Sequence, residues 1–156
     1  FLAPLHISSY CIAQFMMDSC LLKEAIASND RKNLPRLKKK AHQSGKRAFN
    51  KSKKFAVDCV KVLRLMGEYY WLVGKQNKAL KWWDKSIKTG EAMGARPDLS
   101  RTYFEVGKHL LAPGSKYKDL NGITAEEYLE KARTLFVEMD LQYDLDELDK
   151  VMASIA

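Results

Sequence analysis

The chain has 156 residues, 46% of them hydrophobic, with 8 glycines, 4 prolines and a net charge of +8. That composition suits one folded domain with its own core and excludes a disordered chain. Three cysteines without a Cys-x-x-Cys spacing exclude a disulfide framework and a cysteine-based zinc site. They predict buried, unpaired thiols in a reducing, cytoplasmic setting.

Apolar residues recur at intervals of three and four almost everywhere, which predicts helices throughout. The expected spans are 4–28, 33–52, 55–74, 77–93, 97–112, 124–139 and 143–155. The first span carries His6, Gln14 and Asp18 among its apolar residues. It lacks a signal peptide's basic leader and cleavage site, and falls short of the 18 or more apolar residues of a membrane span. It reads as a core helix whose partner lies upstream, so the chain, which opens on Phe1, is expected to be a piece of a longer protein. If its face of Ile7, Cys11, Phe15 and Leu22 is uncovered, that face should drive a homodimer.

The second span is unusual. Between residues 31 and 54 there are eleven basic residues and no acidic one, whereas the rest of the chain nets −3 and the last 31 residues net −6. The apolar seam is thin: Leu34, Leu37, Ala41, Ser44, Ala48 and Phe55. Arg36, Lys38, Lys39, Lys40, Lys46 and Arg47 are therefore expected on a wet, positive face. Three readings stay open: a solvated helix, an anion- or nucleic-acid-binding face, and self-association of basic start with acidic end.

Gly74 stops the third helix, Pro97 suits the first turn of the fifth, and residues 112–123 form one long loop. Thr124-Ala-Glu-Glu127 is a capping box opening the sixth. The second half repeats. At an offset of 46, Ala79, Trp83, Ser86, Met93, Asp98 and Leu99 fall on Ala125, Leu129, Ala132, Met139, Asp144 and Leu145. At an offset of 40, Met66, Gly67 and Gly74 fall on Val106, Gly107 and Gly114. Periods of this size predict helix pairs stacked in series.

The run Leu63-x2-Met66-Gly67-x2-Tyr70, then Ala79-x3-Trp83, follows the tetratricopeptide pattern, and Tyr103-x2-Val106-Gly107, then Ala125-x3-Leu129, follows it again. Over about 60–156 the chain thus resembles a tetratricopeptide-repeat protein, with Leu63 and Tyr103 where that family has tryptophan. The resemblance implies an all-α, right-handed stack of antiparallel helix pairs, an α-solenoid of about seven helices. Its parts are a divergent pair at 1–52, the best-matching repeat at 53–95, a second repeat at 96–141 and a terminal helix at 142–156. It also implies a concave, partner-binding face carrying Lys61, Arg64, Glu68 and Trp71, then Arg101, Phe104 and Lys108. Chaperone-tail binders of that family clamp a carboxylate with Asn and Lys, where this chain has Leu65 and Glu105. The phrase GEAMGARPDLSRTYFEVGKHLL is similar to the C-terminal repeat regions of large bacterial signalling proteins that join a regulatory ATPase to a cyclase, kinase or DNA-binding domain.

No catalytic constellation accompanies these features. His6, His42 and His109 lie far apart, and Ala112-Pro-Gly-Ser-Lys116 lacks the GxxxxGK[ST] of a phosphate loop. Glu126, Glu127 and Glu130 read as a solvated face. The expected function is a non-catalytic protein–protein interaction or regulatory module without cofactor or metal. Its expected partner is another protein or another domain of the parent chain, and nucleic acid is the alternative.

Overall fold

A computed structural model describes residues 4–155. Seven α-helices account for about four fifths of them: α1 (Pro4–Ala27), α2 (Leu34–Ser52), α3 (Ala56–Leu72), α4 (Gln76–Met93), α5 (Arg96–Leu111), α6 (Ala125–Glu138) and α7 (Gln142–Ala153). Several ends have a local cause. Gly74 and Gly94 adopt left-handed φ of 81° and 63° where α3 and α4 stop. Pro35 and Pro97 sit in first turns, where the missing N–H has no helical partner. At α6 the Glu127 N–H donates to Thr124 Oγ1 at 3.3 Å, and the Thr124 N–H donates to Glu127 Oε2 at 2.7 Å, closing the capping box.

The expected loop at 112–123 is more structured than its composition indicates. Asp119–Leu120 (β1) and Ile123–Thr124 (β2) pair antiparallel around Asn121–Gly122, both at positive φ. The Gln76 amide donates to the Gly114 carbonyl at 2.8 Å, and Asn121 donates to Asp84 at 2.7 Å, tying this segment to α4.

The fold is all-α, a series of packed helix pairs: α1 with α2, α3 with α4, α5 with α6, and α7 against α5 and α6. The odd-numbered helices also touch in order, so α1, α3, α5 and α7 form one wall and the even helices lie behind it. Glycines set the spacing within pairs. A Cβ on Gly67 would stand 2.3 Å from the Trp83 ring, and one on Gly107 would stand 2.7 Å from Leu129. In the first pair the roles reverse: Gly45 of α2 faces Phe15 of α1, where a Cβ would meet the ring at 2.9 Å. That reversal is why residues 1–52 escape the repeat pattern. Gly114, matched to Gly74 by offset, has no positive φ, so the two glycines do different work. Ser86 joins successive pairs, donating to the Val60 carbonyl at 2.9 Å and lying 2.8 Å from the Thr102 hydroxyl.

Two expectations are corrected. Cys11, Phe15 and Leu22 are fully covered by α2 and α3 of this same chain, so that face of α1 is not free for a homodimer. Among the described residues α1 packs on α2 and α3, both downstream of it. Of the three unpaired cysteines, only Cys11 is buried; Cys20 is exposed.

Candidate functional site: the wall of odd helices

A concavity with a largely apolar lining lies on the wall of α1, α3 and α5. From α1 it takes Met16, Ser19, Cys20 and Lys23; from α3, Leu65, Glu68, Tyr69, Trp71 and Leu72; from α5, Glu105, Lys108 and His109. Each helix supplies an i, i+3, i+4 stripe, continued to i+7 on α1 and α3, which is one continuous helix face. The volume is about 320 Å³. Trp71 closes its floor, with ring centroids 5.6 Å from Trp83 and 5.2 Å from His109. Trp71 stays half-buried while Trp83 beneath it is fully buried.

Of the residues expected on this face, Glu68, Trp71 and Lys108 line it. Four do not. Arg64 is drawn sideways, its guanidinium 3.4 Å from Glu68 and 3.5 Å from Asp98 of α5, and its Nε is buried without a partner. Arg101 grips Asp144 of α7 with two bonds of 3.0 and 3.1 Å. Phe104 is buried against Phe136, centroids 6.2 Å apart. Lys61 is half-buried outside the groove. The stripe lining the groove is rotated from the expected one by roughly 50° of helix, about half of one residue's step. Leu65, Glu105 and His109 were the signal, standing at the helix-interior positions that face the wall's hollow.

The groove's charges are mutually engaged. Lys108 donates to Glu105 Oε1 at 2.8 Å, and the His109 Nδ1–H donates to the Glu105 carbonyl at 2.7 Å. Burial, ahead of all else, pulls the His109 pKa below its ordinary value, against the Glu105 carboxylate and carbonyl, which raise it. Glu68 is the exceptional group. Burial first, then the Glu105 carboxylate, push its pKa from 4.5 up to about 7, against the pull of Arg64, Lys108 and Lys23.

A folded pKa above the unfolded one means that the native chain binds this proton more tightly. The associated stability is fully present below about pH 4.5 and is lost as pH rises through 7. The full shift corresponds to about 3 kcal/mol. The Glu68 side chain is 32% exposed, and solvent screening reduces this to about 1 kcal/mol. Urea titrations should therefore show the wild-type chain losing about 1 kcal/mol between about pH 5 and pH 8 relative to Glu68→Gln. Parallel pH profiles for the two chains would remove the basis for this assignment.

The basic residues stand where the sequence put them: Arg36, Lys38, Lys39, Lys40, Lys46 and Arg47 are all exposed on α2. Lys40 alone of these has an ion pair among the described residues, with Asp18 at 3.4 Å. Trp82 packs toward α2 against Phe49. Among the described residues no cluster of His, Cys, Asp or Glu has the geometry of a metal site, and no helix is long and apolar enough to cross a membrane.

Comparison with known proteins is silent. No family model, no curated protein and no solved structure matches this chain. Its function is therefore argued from the groove and the charged surfaces alone.

Proposed function

We propose that this chain is a non-catalytic protein-interaction module that seats a segment of another protein, or of another domain of its parent chain, along the wall of α1, α3 and α5. The observation that carries this reading is the convergence of three helix stripes on one groove where Trp71, Leu65, Leu72 and Met16 remain accessible. A half-covered tryptophan in a preformed hollow is a typical anchor point, and a rigid wall loses little entropy on binding. The tetratricopeptide resemblance supports a peptide ligand. The likeness to signalling-protein tails supports a regulatory role within a larger chain. The three unpaired thiols fit a cytoplasmic setting.

The test is selection of displayed peptides on the immobilised chain, followed by affinity measurement of the enriched sequences. Trp71→Ala should weaken them at least tenfold, as loss of a central aromatic anchor does. A bulky maleimide on the exposed Cys20, at the groove's edge, should block them in the otherwise unaltered protein. Charge reversal on α2 should leave them bound. Absence of enrichment, or affinity indifferent to both the Trp71 and Cys20 changes, overturns the reading.

A further inference from the structure

A second surface, on the even helices and independent of the groove, carries a different chemistry. Lys46 of α2 and Lys53, which caps the end of that helix, stand seven residues apart, as do Lys78 and Lys85 on α4, and Lys75 immediately precedes α4. Seven residues are two turns, about 10 Å, so each pair occupies one helix face.

Between the two rows runs a seam of aromatic rings. Trp82 meets Phe49 edge-on at 5.1 Å and stacks with Tyr70 at 6.2 Å; His42 stacks with Tyr69 at 5.8 Å. The ammonium groups lie over these rings: Lys53 over Phe49 at 4.8 Å, Lys78 over Tyr70 at 5.5 Å and Lys85 over Trp82 at 5.0 Å. Phe49 and Trp82 remain partly accessible.

No carboxylate balances this charge. The α2 helix has none. On α4, Asp84 is held by Lys88 and Asn121, and Glu91 accepts from the Tyr103 hydroxyl. None of the five lysines forms an ion pair among the described residues. His42, in the middle, registers the field: burial first, then Lys46, Lys75 and Lys78, hold its pKa below the ordinary value.

We propose that the α2–α4 seam binds a single-stranded nucleic acid, with phosphates on the lysine rows and unpaired bases on Phe49 and Trp82. Alternation of uncompensated cations with accessible rings is what such a strand requires, because its backbone and its bases both need partners. An anionic membrane is a poorer fit, since no large apolar side chain is exposed on α2 to enter it. An acidic protein could pair with the lysines but brings no regular alternation of anions with flat rings, and a duplex keeps its bases stacked inside.

The test is fluorescence anisotropy of a labelled thymidylate strand of about 20 nucleotides with the full chain. With about four phosphates engaged, affinity should fall about 50-fold between about 50 and 200 mM salt. The combined Lys46→Glu, Lys78→Glu and Lys85→Glu variant should abolish binding. All three side chains are exposed, and circular dichroism checks the fold. Neutralisation to Gln at the same positions, which adds no repulsion, should weaken binding at least tenfold and flatten the salt slope. Trp82→Leu should weaken it about tenfold with the slope unchanged, as loss of a stacking platform does. Lys150→Glu, on α7 at the far end of the stack, should have no effect. The proposal is overturned if the strand fails to bind at low salt, or if the Gln variant binds normally. It is equally overturned if polyglutamate, phosphatidylserine vesicles or duplex DNA compete as well as the strand while Trp82→Leu changes nothing.

Discussion

Gly67→Ala should destabilise the chain by about 2–3 kcal/mol, lowering Tm by roughly 8 °C for a domain of this size. One methyl group causes this. Its carbon would lie 2.3 Å from both Cδ1 and Nε1 of Trp83 and 2.8 Å from Cε2. The indole cannot retreat easily. It is fully buried, its Nε1–H donates to the Arg64 carbonyl at 3.2 Å, and the rings of Trp71 and His109 lie against it at 5.6 and 5.1 Å. Alanine is the better helix former by about 1 kcal/mol, so the steric penalty must exceed that gain before any loss is seen. Gly114→Ala is the matched control: nothing lies within 4 Å of its Cβ and its φ is ordinary, so its effect should stay within about 0.5 kcal/mol. Thermal melts of both variants decide the matter. Equal Tm values would mean that the α3–α4 spacing is not set at Gly67.

The same contact explains how much of this protein is legible as sequence. Helix ends fall within about two residues of expectation, because Gly74, Pro97 and the Thr124–Glu127 box act through backbone chemistry that any reader of residues can apply. The repeat is legible through Gly67–Trp83 and Gly107–Leu129, since close approach leaves a glycine on one helix opposite a bulky residue on the next, the second pair being spaced wider by the 112–123 segment. The rotation of each helix about its axis is not so marked. Arg64 could face the groove or Asp98, and only the position of α5 brings Asp98 within 3.5 Å of its guanidinium. Phe104 likewise turns inward because Phe136, some thirty residues on, is there to receive it. The Asn121–Gly122 hairpin was readable from its turn residues, but two-residue strands flanked by lysine and aspartate carry no alternation to draw attention.

Trp83→Ala should cost more than any other single change, about 3–5 kcal/mol. It removes the largest fully buried side chain, and a domain whose whole stability is about 5–15 kcal/mol is left close to unfolding. Trp83→Phe separates the causes. It keeps most of the ring but loses the Nε1–H bond to Arg64, and should cost about 1–2 kcal/mol. The decisive measurement is the double variant. With the indole gone, a methyl at position 67 no longer meets it, so Gly67→Ala in the Trp83→Ala background should turn neutral or stabilising by up to about 1 kcal/mol. That implies a coupling of about 3 kcal/mol between the two positions. Additive losses would show instead that each residue acts on its own. The consequence reaches the groove, because Trp71 rests on Trp83 and His109. In Trp83→Phe, which stays folded, the smaller ring leaves Trp71 less supported. Peptides selected on the native wall should then bind more weakly, although no residue lining the groove has been changed.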